Sequence, residues 1–424
     1  MKQSLTLTLL FCLFFSVISA QENNPLIASG PIIESAVKKY DDGLYKEAIA
    51  LYKKIPRSDT NYVWALYELG MSYTADSQFT EALRVYTEGL SLKQEREREP
   101  DLYNNYASLI DDMGDHEKAL AIYDTAIAKY PTYSPLMLNK ATTLLKLNRS
   151  VEAESLLQKN LLINPYSISS HYMLGLAALQ QGKIVQSFIS YFSYLMMSPD
   201  GRYFQNCVNN LSVIANNRDD IRQFIDNRKE SPSDSYQLLE QIILSKIALD
   251  KNYKSLVKLD DAICRQIQVL FEKMEYNATD NDFWMQYYIP LYKKIFEEKK
   301  FETYVYYIFS NVNIEAIQNY NKKNKKEKDA LISEIVAYLN DIRVTRELFF
   351  EKRQKASTRY MISDGAVSGK GAYASDGEKL IGPWEFYYPA GNLRSAGKYN
   401  DNGEQEGTWN YYYQNGAKES LKIM

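Results

Sequence analysis

Ala48, Ala82, Ala119, Ala153 and Ser187 follow one another at steps of 34, 37, 34 and 34 residues. Twelve residues before each lies a small residue: Ala36, Gly70, Ala107, Ala141 and Gly175. Four residues after each lies a large one: Tyr52, Tyr86, Tyr123, Leu157 and Tyr191. A period of about 34 residues with these types in fixed register predicts helix pairs stacked side by side. One helix pair cannot bury its apolar face alone. Small residues let its two helices cross closely, and large aromatics fill the space toward the next pair. At 424 residues the chain exceeds one compact core, as an array that grows by adding repeats can.

Five units are read as residues 29–62, 63–96, 100–133, 134–167 and 168–201. Gly43, Gly114 and Gly182 fall at the turn between paired helices, and Pro131, Pro165 and Pro199 close three successive units. With Gly70 and Gly175 at the close helix contact, this set resembles the tetratricopeptide repeat. Departures are Lys39 where an aromatic is usual, Leu157 for tyrosine and Ser187 for alanine. The insertion QEREREP, residues 94–100, reads as a solvated lengthening between the second and third units.

The resemblance implies that the first helices line a concave groove that receives a segment of a protein or peptide partner. Carried onto this sequence, the groove set is Tyr40, Trp64, Tyr67, Met71, Asn104, Asp111, Asp112, Thr142, Lys146, Tyr172 and Leu176. Gripping a terminal carboxylate takes several converging cations, and Lys146 is alone. The groove therefore reads as suited to apolar anchors and a basic residue facing Asp111 and Asp112.

Residues 202–355 keep a helical period without the repeat motif, over 233–251, 256–274, 283–300 and 328–350. They are expected to form further helix pairs, with 300–303 as a turn. Beyond residue 356 the composition shifts to Gly, Tyr, Trp and Asn, and a second repeat begins. Gly382, Trp384, Tyr387, Tyr388 and Gly391 recur 25 residues later as Gly407, Trp409, Tyr412, Tyr413 and Gly416. Gly371, Tyr373 and Gly377 recur 26 residues later as Gly397, Tyr399 and Gly403. Alternation places Trp384, Phe386 and Tyr388 on one strand face, and Trp409, Tyr411 and Tyr413 likewise. PAG and QNG supply tight turns. The module resembles MORN-like repeats of the YwqK type. Two or three such units make a poor independent core, so docking near Tyr338–Phe350 is expected. The expected fold is mainly α: a TPR-like alpha-alpha superhelical solenoid, then a small antiparallel β meander.

Met1–Ala20 has a lysine, a short apolar run and a small-residue end before Gln21, which reads as a secretory signal. The run is too short to span a bilayer, so no transmembrane span is expected in the mature chain. The signal, the array and the YwqK-like tail together resemble exported proteins of Bacteroidetes. That implies the periplasm, with the outer surface or medium left open.

A net charge of −3 without a basic stripe argues against nucleic acid. The lysines of 321–328 read as a solvated loop. Cys207 and Cys264 read as buried free thiols. His116 and His171, the only histidines, have no ligand-spaced companions, so neither a metal nor a cofactor is expected. GKGAYA at 369–374 lacks the βαβ setting of a dinucleotide site, and 280–282 and 400–403 lack a full calcium series. The reading is a non-enzymatic exported scaffold or adaptor of the cell envelope. The alternative is a glycan-binding protein using the terminal aromatics.

Overall fold

The computed structural model describes residues 28–92, 98–217, 219–280, 282–345, 359–363, 366–374 and 379–424. The expected signal, residues 94–97 of the insertion and Gly377 lie outside the described residues. Ten helices form five pairs: α1 (Ser29–Asp41) with α2 (Tyr45–Tyr52), α3 (Tyr62–Ala75) with α4 (Phe79–Ser91), α5 (Glu99–Asp112) with α6 (His116–Lys129), α7 (Ser134–Lys146) with α8 (Ser150–Ile163), and α9 (Ile168–Gln180) with α10 (Ile184–Met197). The first helices touch in sequence, α1 to α3 to α5 to α7 to α9, and so form the inner layer of the stack.

The repeat chemistry is visible atom by atom. A Cβ added at Gly70 or Gly175 would lie under 3.0 Å from the ring of Tyr86 or Tyr191. These glycines are seats for the tyrosine of the paired helix. Ser187, the departure from alanine, is fully buried and donates its hydroxyl to the Gly175 carbonyl at 2.9 Å. Each pair turns through one left-handed residue: Gly43, Ser77, Gly114, Asn148 and Gly182. Only three of these are glycines, so the turn is a fixed backbone requirement that serine and asparagine also meet.

Nine further helices follow among the described residues: α11 (Phe204–Ala215), α12 (Asp219–Asp226), α13 (Asp234–Ser245), α14 (Ala262–Lys273), α15 (Phe283–Tyr287), α16 (Ile289–Glu297), α17 (Phe301–Ile308), α18 (Glu315–Lys323) and α19 (Lys325–Thr345). The expected turn at 300–303 is instead the start of α17, and the lysine-rich 321–328 joins α18 to α19 rather than forming a loop. α11 packs on α10 as each earlier first helix packs on the helix before it, and a left-handed Asn217 again turns α11 into α12, so the stack continues. α13 and α17 also pack against α10, of which every residue from Ile184 to Met196 is buried. Aromatics make this enclosure: Trp284 Nε1 donates to Ser190 Oγ at 2.8 Å, and the hydroxyls of Tyr304 and Tyr307 reach the carbonyls of Phe192 and Met196. The tyrosine side chain suits this work, having a large apolar ring to bury and a hydroxyl to satisfy a helix carbonyl.

The carboxy-terminal strands form a six-stranded antiparallel meander in sequence order: β1 (Arg359–Ser363), β2 (Ala366–Tyr373), β3 (Leu380–Tyr387), β4 (Leu393–Tyr399), β5 (Gln405–Tyr412) and β6 (Lys418–Ile423). Both expected turns are present, with Gly391 and Gly416 left-handed and bonded to the carbonyls of Tyr388 and Tyr413. The sheet's contact with the helices differs in part from expectation. β1 runs beside α19, as expected, and residues 346–350 of the expected docking site lie outside the described residues. Tyr387 and Val367 pack with Met137 of α7 and Ile163 of α8, and Ala390 joins Tyr130 and Leu136. Thr132 Oγ1 donates to the Gly391 carbonyl at 3.3 Å. The sheet thus rests on the loop edge of the third and fourth units.

This contact yields a prediction. Tyr387→Ala removes a ring that is 4% exposed, which costs about 3 kcal/mol. The helical melting transition followed by far-ultraviolet circular dichroism should fall by several degrees. An unchanged transition would show that docking does not support the array.

Candidate functional site

The inner layer carries a polar ladder built by residues one repeat apart. Asn139 of α7 donates to Asn104 of α5 at 2.9 Å and to Ser108 at 3.3 Å, and Ser108 meets the Tyr123 hydroxyl at 2.8 Å. Lys146 donates to Asp111 at 2.6 Å and to Asp112 at 3.3 Å, while His116 Nδ1 lies 2.7 Å from Asp111. Burial pushes the Asp111 carboxyl up, but Lys146 and His116 outweigh it and hold the carboxyl below its ordinary value. The acidic centre of the expected groove is therefore partly paired within the array. Asp111 is buried and spoken for, and Asp112 is exposed and shares the same lysine.

Toward the amino-terminal end the inner face is aromatic. Tyr40, Trp64, Tyr67 and Met71 are half-buried on α1 and α3. Trp64 Nε1 donates to Glu68 at 3.0 Å, one helical turn along the same face. The Arg98 guanidinium lies over Trp64 at 5.4 Å and over Tyr67 at 5.8 Å. Burial raises the Glu68 carboxyl, opposed by Trp64 and Arg98. Burial also raises the Tyr40 and Tyr67 hydroxyls, with Glu68 contributing to both. Glu68, Arg98 and Asn139 are absent from the sequence-based set. Glu68 had a signal in its four-residue step from Trp64, whereas Arg98 sits in the segment read as solvated.

At the other end the inner face is covered. Tyr172 is 6% exposed and stacks on Tyr203 at 4.3 Å, with Tyr191 and Tyr194 around it. This corrects its place in the groove: Tyr203 at the start of α11 makes it core. Leu176 is half-buried against the same cluster. Thr142, also half-buried, donates to the Leu138 carbonyl at 3.0 Å within its own helix.

The terminal aromatics are likewise largely internal. Trp384 and Trp409 are each 1% exposed, and a Cβ at Gly371 or Gly397 would lie under 3.0 Å from their indoles. Their indole nitrogens donate to the carbonyls of Ala372 and Lys398 at 2.9 and 3.2 Å. Phe386 bridges the two tryptophans, and Tyr411 continues the row. Register shifts after Phe386 and Tyr411 interrupt the simple alternation before Tyr388 and Tyr413. Tyr388 is tied to the Tyr412 carbonyl at 2.8 Å, and Tyr413 alone of the six is exposed, at 50%. The two tryptophans are core, not a ligand platform.

Cys207 and Cys264 are free and buried, and burial pushes both thiols up. Among the described residues no group of three or more His, Cys, Asp or Glu is placed to hold a metal, and no helix is long and apolar enough to cross a membrane. Asp280 and Asp282 accept from Ser235 and Tyr236, and Asn400 closes a turn through Asn402 N and Glu404 N.

Residues 65–100 and 112–184 match family models described as tetratricopeptide repeat, so this stretch of the chain carries tetratricopeptide repeats. Among solved structures, the chain is similar to a tetratricopeptide repeat protein from Parabacteroides merdae, at 17% identity over 72% of this chain and 98% of that one, with a TM-score of 0.34. It is also similar to MamA, at 20% identity over 40% of this chain and 91% of that one, TM-score 0.33. A third is YrrB, titled a TPR protein with an unusual peptide-binding site, at 16% identity over 43% and 92%, TM-score 0.33.

Proposed function

We propose that this chain is a non-enzymatic, exported adaptor of the cell envelope that holds a protein or peptide partner along the inner face of α1, α3, α5 and α7. The observation that carries the reading is the half-buried row of Tyr40, Trp64, Tyr67 and Met71, three aromatics and a methionine, continuing into the ladder of Asn104, Asn139 and Thr142. Aromatic anchors beside polar groups with spare hydrogen-bonding capacity suit an extended segment with one or two apolar side chains. The groove ends where Tyr172 is covered, so a segment spans four repeats rather than five.

The glycan alternative is not favoured by the terminal module, whose tryptophans lie against glycine backbone rather than facing outward. The test is in-cell crosslinking and capture of the tagged chain, compared with a Trp64→Ala, Tyr67→Ala variant that keeps its circular dichroism. A defined protein captured by the first and lost by the second is expected. Equal capture by both would remove the inner face from the account.

A further inference from the structure

We propose that the corner formed by Tyr40, Trp64, Tyr67 and Glu68 is a receptor for one arginine side chain of the partner, and that Arg98 occupies part of it in cis. This deepens the adaptor reading and rests on it.

The corner has two aromatic faces, Trp64 and Tyr67, and an anion, Glu68, whose charge Tyr40 also feels. Trp64 offers its ring to a guanidinium already, since Arg98 lies over it at 5.4 Å and over Tyr67 at 5.8 Å. That occupant is held loosely. Its nearest carboxylate, Asp101, is 3.9 Å away, beyond a hydrogen bond, and the Arg98 side chain is 41% exposed. Asp101 instead accepts from the Tyr133 hydroxyl. Glu68 receives a single side-chain hydrogen bond, from Trp64, and feels Asp41 and Asp101 as like charges against Arg98 as the opposing one. Lys39, the cation adjoining Tyr40 in sequence, is spent on Glu47 at 2.7 Å. The corner therefore carries more negative than positive charge beside aromatic faces.

Arginine rather than lysine fits. A guanidinium is planar and weakly hydrated, so it lies flat on a ring while its edge donates to a carboxylate, whereas an ammonium keeps its water. A partner arginine that satisfies Glu68 while stacking on Trp64 gains what Arg98 does not achieve in its present place. The basic residue expected opposite Asp111 and Asp112 is thereby moved to the other end of the groove, where the carboxylate is not already paired.

The full chain labelled with nitrogen-15 tests this through its indole signals. There are four tryptophans, and Trp64→Phe identifies the one that matters. The probe is N-acetyl-arginine amide, with N-acetyl-citrulline amide as its uncharged counterpart. The Trp64 signal should move with the arginine probe and not with citrulline. Arg98→Ala should tighten binding by roughly 3-fold or more, and Glu68→Gln should weaken it by about 5-fold. Unmoved signals from Trp284, Trp384 and Trp409 certify that each variant is folded, and Arg98→Gln replaces Arg98→Ala if the latter is not. Equal shifts with citrulline, no shift in either wild type or the Arg98 variant, or indifference to Glu68→Gln overturns the proposal. If the probe fails while a partner is still captured through the inner face, the arginine receptor alone falls. If the probe binds and no partner is captured, the adaptor reading falls instead.

Discussion

Gly397→Ala should remove about 3 kcal/mol from the terminal sheet and abolish the near-ultraviolet signal of its stacked tryptophans at temperatures where the wild type keeps it. The reason is space, not conformational freedom. Trp409 lies against the Gly397 backbone, is 1% exposed, and is fixed at its far edge by the bond from Nε1 to the Lys398 carbonyl. A methyl group cannot be admitted unless the indole gives up that bond, its stacking with Phe386 and its edge contact with Tyr399. Gly371→Ala should behave alike, because Trp384 repeats the arrangement against Gly371 and Ala372. Gly30→Ala is the contrast: nothing lies within 4 Å of its added carbon, and alanine in a helix is favoured by up to about 1 kcal/mol. Denaturant unfolding of the three variants measures the difference. A mild effect at Gly397 would mean the sheet accommodates a shifted indole.

The second large effect is on pH. His171 is fully buried in α9, with Nε2 2.9 Å from the Pro165 carbonyl and Nδ1 2.7 Å from the Tyr288 hydroxyl. The carbonyl can only accept, so Nε2 carries the proton and Nδ1 accepts from tyrosine. Burial pushes the imidazole pKa down to about 4, against the smaller raising effect of the Pro165 carbonyl. A depressed histidine stabilises the fold fully above its unfolded value of about 6.5, and that stability is lost as pH falls toward 4, by about 3 kcal/mol in all. Asp282, the half-buried cap of α15, works in the opposite sense. Its carboxyl is raised to about 6, mainly by burial, so protonation between about 6 and 4 favours the folded state. The wild-type profile sums these two with the shifted carboxyls of Asp111, Glu68 and Asp101. His171→Gln isolates the first: the stability difference from wild type should shrink by about 3 kcal/mol between pH 7.5 and pH 4, measured by urea unfolding. A constant difference would show that the imidazole is not held neutral.

The stacked pairs were legible because each repeat makes the same contact, so Gly70 with Tyr86 and Gly175 with Tyr191 leave the same trace in the chain. The left-handed turns at Ser77 and Asn148 were not, since residues other than glycine fill them. The helices after α12 kept no motif because several of them, α13 and α17 among these, bury their faces against α10 rather than against an identical neighbour. In the sheet, the repeat itself was evident, while the role of its glycines as seats for tryptophan needed the pairing of β2 with β3 and of β4 with β5. For the site, the list of inner-face residues was largely accessible but their pairing was not drawn from it. Asp111 meets Lys146 and Asn104 meets Asn139 at separations of 35 residues, one repeat apart. That spacing was available from the period alone, and it decides which charges a ligand can find free.

The central claim is that a partner lies along the inner face. A photoreactive benzoylphenylalanine placed at Met71 on α3, and separately at Lys118 on the outer helix α6, tests it in living cells. The account predicts one defined protein crosslinked from position 71 and absent from position 118. The same protein crosslinked from position 118 alone, or equally from both, would contradict it.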